Sequence, residues 1–314
     1  MAQGNPFNGM MRGRIGDTIF SRKNGQQQSR AHVSAPANPQ TNAQMSQRVK
    51  FATCAAFYSQ GEKAFYKFAF ENKPKNTTDY NAFMAANVGR VPANTYRANR
   101  NGLPTPGYFI MSDGSLPSVL VAFNEEIPDY VGPAIVLDAD FSMTADTTTG
   151  EVCQAIMDKY GLRKGDILTA VAIRGQGDVA QTIEEAEYYD SLSEDLKVSW
   201  PVWQIKQIML DPGITTPVAR SNFFEEELIK KGYVRLSLDV QSTVSGLAAV
   251  TVVVSRNTPN GLKVSRSVLK LNQAGVACEE MAQDEAWWQY CVDSYKNSSL
   301  LDNKYTAILQ GTEL

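Results

Sequence analysis

The stretch Ala248-Ala-Val-Thr-Val-Val-Val-Ser-Arg256, Asn257-Thr-Pro-Asn-Gly261, Leu262-Lys-Val-Ser-Arg-Ser-Val-Leu-Lys-Leu271 reads as two strands joined by a turn. Both flanks are rich in β-branched residues, and the five residues between them include Pro and Gly. The same pattern recurs through the second half. Ser118–Phe123, Ala134–Asp138, Asp166–Ile173 and Tyr233–Gln241 are further strand candidates, separated by turn residues. Repeated short strands of this kind predict an antiparallel β-sandwich of the immunoglobulin-like type. One helix interrupts them. Thr148 or Thr149 is placed to cap Glu151–Tyr160, and Gly161 stands where a left-handed C-terminal residue closes a helix. A second helix is expected over Glu279–Tyr295, and Lys304–Leu309 reads as a short strand.

Upstream of Gly107 the period is helical. Ala43–Ser59, Glu62–Glu71 and Thr77–Val88 each carry apolar residues at spacings of three and four. Phe65, Tyr66, Phe68 and Phe70 leave the middle segment little face to show to water, so it is expected to be buried or at an interface. Residues 94–107 contain Asn101-Gly102, Pro104 and Pro106 and mark a boundary. The organisation expected is α+β: an extended arm with a β-hairpin over 1–40, a helical region over 41–106, and a β-sandwich-like domain with helical insertions over 107–314. On that division residues 108–314 should fold alone. The acidic segment between Gly175 and Phe224 stays unassigned, apart from Trp200-Pro-Val-Trp203, a cluster costly to leave in water.

The arm carries its own signals. Thr18–Arg22 and Gln26–Arg30 flank Lys23-Asn24-Gly25, and Asn-Gly supplies the positive-φ pair of a tight turn. A lone two-stranded hairpin is marginal in water, and this one has only Ile19 and Phe20 as large apolar groups, so it needs a surface to lie on. Residues 1–50 hold seven Lys and Arg against one acid, Asp17. Ile19 and Phe20, with Arg14, Arg22, Lys23, Arg30 and Arg48, are the candidate interaction residues. Charge is polarised along the whole chain: residues 1–106 hold 14 Lys and Arg against 4 Asp and Glu, a net of +10, and residues 107–314 hold 16 against 29, a net of −13. Such polarity suits head-to-tail association of identical subunits. Nucleic acid is the less favoured partner, although Tyr96, Arg97, Arg100 and Tyr108 interleave aromatic and basic groups.

The signals for chemistry are weak. The single histidine, His32, lies in the polar arm without a nucleophile pattern, and Glu184–Glu187 and Glu225–Glu227 are acidic runs without diagnostic spacing. Cys54, Cys153, Cys278 and Cys291 have no metal or redox spacing and read as buried thiols. No enzymatic activity, cofactor, metal site or membrane span is expected.

The block Gly13-Arg-Ile-Gly-Asp-Thr-Ile-Phe20, the turn Arg22-Lys-Asn-Gly25 and the run Asn38-Pro39…Thr41…Gln44…Gln47-Arg48 resemble the N-terminal signature of an uncharacterised family. That family occurs in Bacteroidota and in their tailed phages, and its phage members resemble virion structural proteins of the crAss-like phages. The resemblance covers about the first 60 residues. It implies a virion subunit assembled in the host cytoplasm, in a ring, collar or tail position near the portal. Its partners would be copies of itself, with twelve-fold symmetry as one option, and other portal and tail proteins.

Overall fold

The computed structural model describes residues 11–23, 26–34, 41–90, 107–123, 133–178, 199–225, 231–238, 246–272, 285, 286 and 289. The chain divides into two units, Met1–Gln44 with Pro74–Asn76, and Met45–Lys73 with Thr77–Leu314.

The first unit is an antiparallel meander of β1 (Gly13–Ile15), β2 (Thr18–Lys23) and β3 (Gln26–Ala31). The expected hairpin is present, with Lys23 opposite Gln26. A third strand joins it through a second two-residue turn, Gly16-Asp17, where Gly16 has φ 55°. Three strands hold together better than two, which answers the marginal stability of an isolated hairpin.

In the second unit the three expected helices form as α1 (Asn42–Gln60, begun in the first unit), α2 (Lys63–Ala69) and α3 (Asp79–Asn87). Short strands β4 (Ile110–Ser112), β5 (Val121–Ala122) and β6 (Ala134–Val136) precede α4 (Thr149–Tyr160). Thr148 closes a capping box with Glu151, and Gly161 ends the helix at φ 65°, as local sequence predicts. Then follow β7 (Ile167–Asp178), β8 (Ser199–Met209), β9 (Tyr233–Arg235) and β10 (Gly246–Thr258). The segment expected to be one strand from Leu262 to Leu271 is broken into β11 (Gly261–Val264), β12 (Ser267–Val268) and β13 (Lys270–Leu271). The turn before β11 is tighter than expected, because Thr258 already pairs with Gly261.

The long antiparallel sheet runs β11-β10-β7-β8, with β13 also on β10. Its register sets Val254, Leu168 and Ile208 in one row and Ala249, Ile173 and Trp203 in another, and these rows belong to opposite faces. On one face Leu168, Ala170, Ala172, Val250, Val252 and Val254 pack with α4 residues Val152, Cys153 and Ile156. Ile135 and Val234 of the small β5-β6-β9 sheet join the same cluster. On the other face Val171, Ile173, Ala249 and Val253 pack with Cys54 and Phe57 of α1, Phe65 and Tyr66 of α2, and Phe83 of α3.

The fold is therefore α+β, with a correction to the expected division at 107. The helices share a core with the strands because β7 and β10 are apolar at both parities and have no face to give to water. Phe57 stacks on Phe109 at 4.0 Å across that seam, one of several aromatic pairs there. The expected helix at Glu279–Tyr295 lies outside the described residues except for Glu285, Ala286 and Gln289, which are helical. The expected strand Lys304–Leu309, the acidic Glu184–Glu187 run and the loop with Tyr96, Arg97 and Arg100 also lie outside them.

Polar ties fix helices to sheet. The buried Asn87 side chain donates to the carbonyls of Phe83 and Ile110, both at 3.0 Å, and accepts from the Ile110 N–H at 2.7 Å. After α2, the Glu71 carboxylate accepts from the Ser115 and Val264 N–H groups at 3.0 and 3.1 Å. At the end of the β7–β10 ladder Arg256 donates to both oxygens of buried Asp166 at 2.6 Å. Burial alone would raise both carboxyls. For Glu71 the N–H groups of Ser115 and Val264, the Ser115 hydroxyl and Lys263 outweigh it and hold the pKa low. For Asp166 the Arg256 guanidinium and the Arg163 N–H do the same.

Two outcomes follow. Asn87→Ala strands the Ile110 backbone groups and should lower stability on the order of 2 kcal/mol, measured by denaturant midpoint; a change within error would remove Asn87 from the seam. Because both carboxyls have folded pKa values below their unfolded ones, their stabilisation is complete above about pH 4–5 and is lost as pH falls through the folded values. Glu71→Gln should flatten that acid-side loss in a series of melts, and an unchanged acid profile would contradict it.

Candidate interaction site

Strand pairing gives the arm two unlike faces, since cross-strand partners share a face and successive rows alternate. Arg14, Ile19 and Arg30 form one row. The rows on either side, Ile15–Thr18–Ala31 and Gly13–Phe20–Ser29, belong to the opposite face. The first face is basic. Arg30 is exposed there, and Arg14 lies 3.2 Å from His32 Nε2. The second face carries Ile15, 49% exposed, and Phe20, half-buried; Val33, beyond the end of β3, is 63% exposed.

The candidate residues do not all act alike. Arg14 is engaged inside the arm, where its Nε donates to the Gly16 carbonyl at 2.7 Å and its Nη2 lies 3.7 Å from Asp17. An ion pair so exposed contributes little, so the carbonyl bond is the larger hold on the Gly16-Asp17 turn. Ile19 and Phe20, adjacent on β2, belong to opposite faces, so they are not one apolar anchor. Arg22 and Lys23 close β2. Arg48 is not in the arm at all; it is on α1, half-buried, with Nη1 3.8 Å from Met45 Sδ. The β1 strand and the role of His32, whose N–H donates to the Asp17 carbonyl at 2.6 Å, were missed by sequence. Gly16-Asp17 between Gly13-Arg-Ile15 and Thr18-Ile-Phe20 is the turn signal that could have found them.

A second feature lies in the larger unit. Between α2 and β8 is a cleft of about 440 Å³ lined by Glu62, Phe65, Phe68, Trp203, Ile205 and Gln207. Alternate residues of β8 point into it, as the period of a strand requires. Trp203 is half-buried, with its ring centroid 5.5 Å from that of Phe57, and Gln207 is oriented by donating to the Thr169 hydroxyl at 3.0 Å. Phe68 and Trp203 are conspicuous in the sequence, but only the fold brings them together.

Among the described residues no group of three or more His, Cys, Asp or Glu side chains could hold a metal ion, and no helix is long and apolar enough to cross a membrane. Cys54 and Cys153 are buried. Burial pushes the Cys54 thiol up to about 12 and raises Cys153 against the opposing Asp211 N–H, far from the thiolate a nucleophile needs. Both should resist a thiol reagent at pH 8 until denaturant is added, as read by peptide mapping; labelling of native Cys54 at the rate of a free thiol would contradict its burial.

Residues 10–99 match the model of DUF6266, a family of unknown function. The matched stretch takes in the arm and α1–α3 and stops short of the long sheet. No curated protein and no solved structure matches the chain.

Proposed function

We propose that the chain is a structural subunit that joins copies of itself through its basic N-terminal arm. Following the resemblance of residues 13–48, we place it in the virion of a tailed phage, in a ring or collar at the junction of portal and tail. The observation that carries the reading is the arm's construction. It is a unit of its own, with Ile15 and Phe20 on one face and Arg14 and Arg30 on the other. A surface of that kind gains from a partner what an isolated meander lacks. The net charge of −13 beyond residue 106 gives the arginines a counterpart on every other copy. On this reading the protein performs no catalysis. The immunoglobulin-like sandwich is part of the same proposal, supported by the small β5-β6-β9 sheet packing into the cluster on one face of the long sheet.

A second reading has one observation in its favour, the face that carries Arg14, Arg30 and His32, which suits nucleic acid or an auxiliary position against a capsid. Deleting residues 1–37 separates the two. Size-exclusion chromatography with light scattering should give a folded monomer from the truncated chain under conditions where the full chain assembles. Unchanged assembly would sink the clamp. Full-length protein that stays monomeric and binds DNA with a steep inverse dependence on salt would instead establish the second reading.

A further inference from the structure

The arm needs a place to dock, and the cleft between α2 and β8 has the matching chemistry. Its walls are Phe65, Phe68, Trp203 and Ile205, and the one charged side chain at its rim is Glu62. Lys63 and Lys67 are exposed on the same helix, yet neither lines the cleft. The arm offers the complement: Ile15 exposed and Phe20 half-buried on one face, in a segment, residues 1–40, with five basic residues and one acid. The cleft is roomy enough for more than one side chain. The arm and the α2 wall also fall within the same family-matched stretch.

We propose that this cleft receives the arm of a second copy. Phe20, with Ile15 beside it, enters against Trp203 and Phe68, and Arg22, two residues along the same strand, meets Glu62. The proposal rests on the clamp reading and adds the receptor to it. Apolar area and the aromatic pairs supply the affinity, and the charge pair at the rim sets the register.

The test uses the full chain. A photoreactive phenylalanine analogue at position 20, in a mixture of isotopically light and heavy copies, should cross-link between differently labelled chains to peptides spanning 62–68 or 203–207. Glu62→Arg, an exposed change that leaves the core alone, should raise the concentration needed for assembly on the order of tenfold, as expected for an interfacial charge pair. Adding Arg22→Glu to Glu62→Arg should recover most of that loss. Cross-links that form only within one chain, or that reach other peptides while deletion of 1–37 still abolishes assembly, overturn the cleft and leave the clamp standing. If that deletion has no effect, both fall.

Discussion

The second unit depends on β7 and its neighbour β10 having no face suited to water. Leu168, Ala170 and Ala172 point one way, Val171 and Ile173 the other, and all are buried. A strand of this composition must be covered twice. The coverings are α4 with the small sheet on one side and α1–α3 on the other, and the two clusters place these elements. The alanines on the α4 side keep that layer close, while the opposite side is filled with aromatic rings from three helices. Asn87, fully buried, then holds the aromatic side in place through hydrogen bonds that water cannot replace once the seam is closed, and Glu71 adds a tie at a more open margin.

This double burial also explains why some of the chain was legible and some was not. The caps of α4 were readable because Thr148, Glu151 and Gly161 act on backbone groups within a turn of themselves. The β2–β3 hairpin was readable too, because its turn signal and its flanks are neighbours in sequence. The division at residue 107 misled because it was drawn from a change of period, and a change of period does not separate cores. The missing signal was present: Ile167-Leu-Thr-Ala-Val-Ala-Ile173 is apolar at both parities, so both of its faces need cover and the helices upstream of residue 107 are available to give one. The break of Leu262–Leu271 into three pieces was not legible. It depends on Ser267 pairing with Ser112 and Leu271 with Ala249, partners far away along the chain.

The candidate site was half legible. Sequence located the arm and its charge, and the second turn, Gly16-Asp17, was visible in hindsight. Ile19 and Phe20 were the large apolar groups expected of the hairpin, but adjacent strand residues face opposite ways, so Phe20 shares a face with Ile15 and Ile19 lies on the other. Arg48 joined the list through its sequence neighbourhood and falls on α1. The cleft required the fold, because Phe68 and Trp203 lie well over a hundred residues apart. What links these parts is a division of labour. A doubly buried sheet carries an aromatic cleft along β8, and a small two-faced meander carries the partly exposed Ile15 and Phe20.

The central claim is that the arm's contacts are completed by another copy. Amide hydrogen exchange over residues 11–34, compared between free monomer and assembled protein, tests it most directly. The account predicts that the arm's amides exchange quickly in the monomer, slow markedly on assembly, and do so while the β7 and β10 amides are equally protected in both states. An arm as protected in the monomer as in the assembly would contradict it.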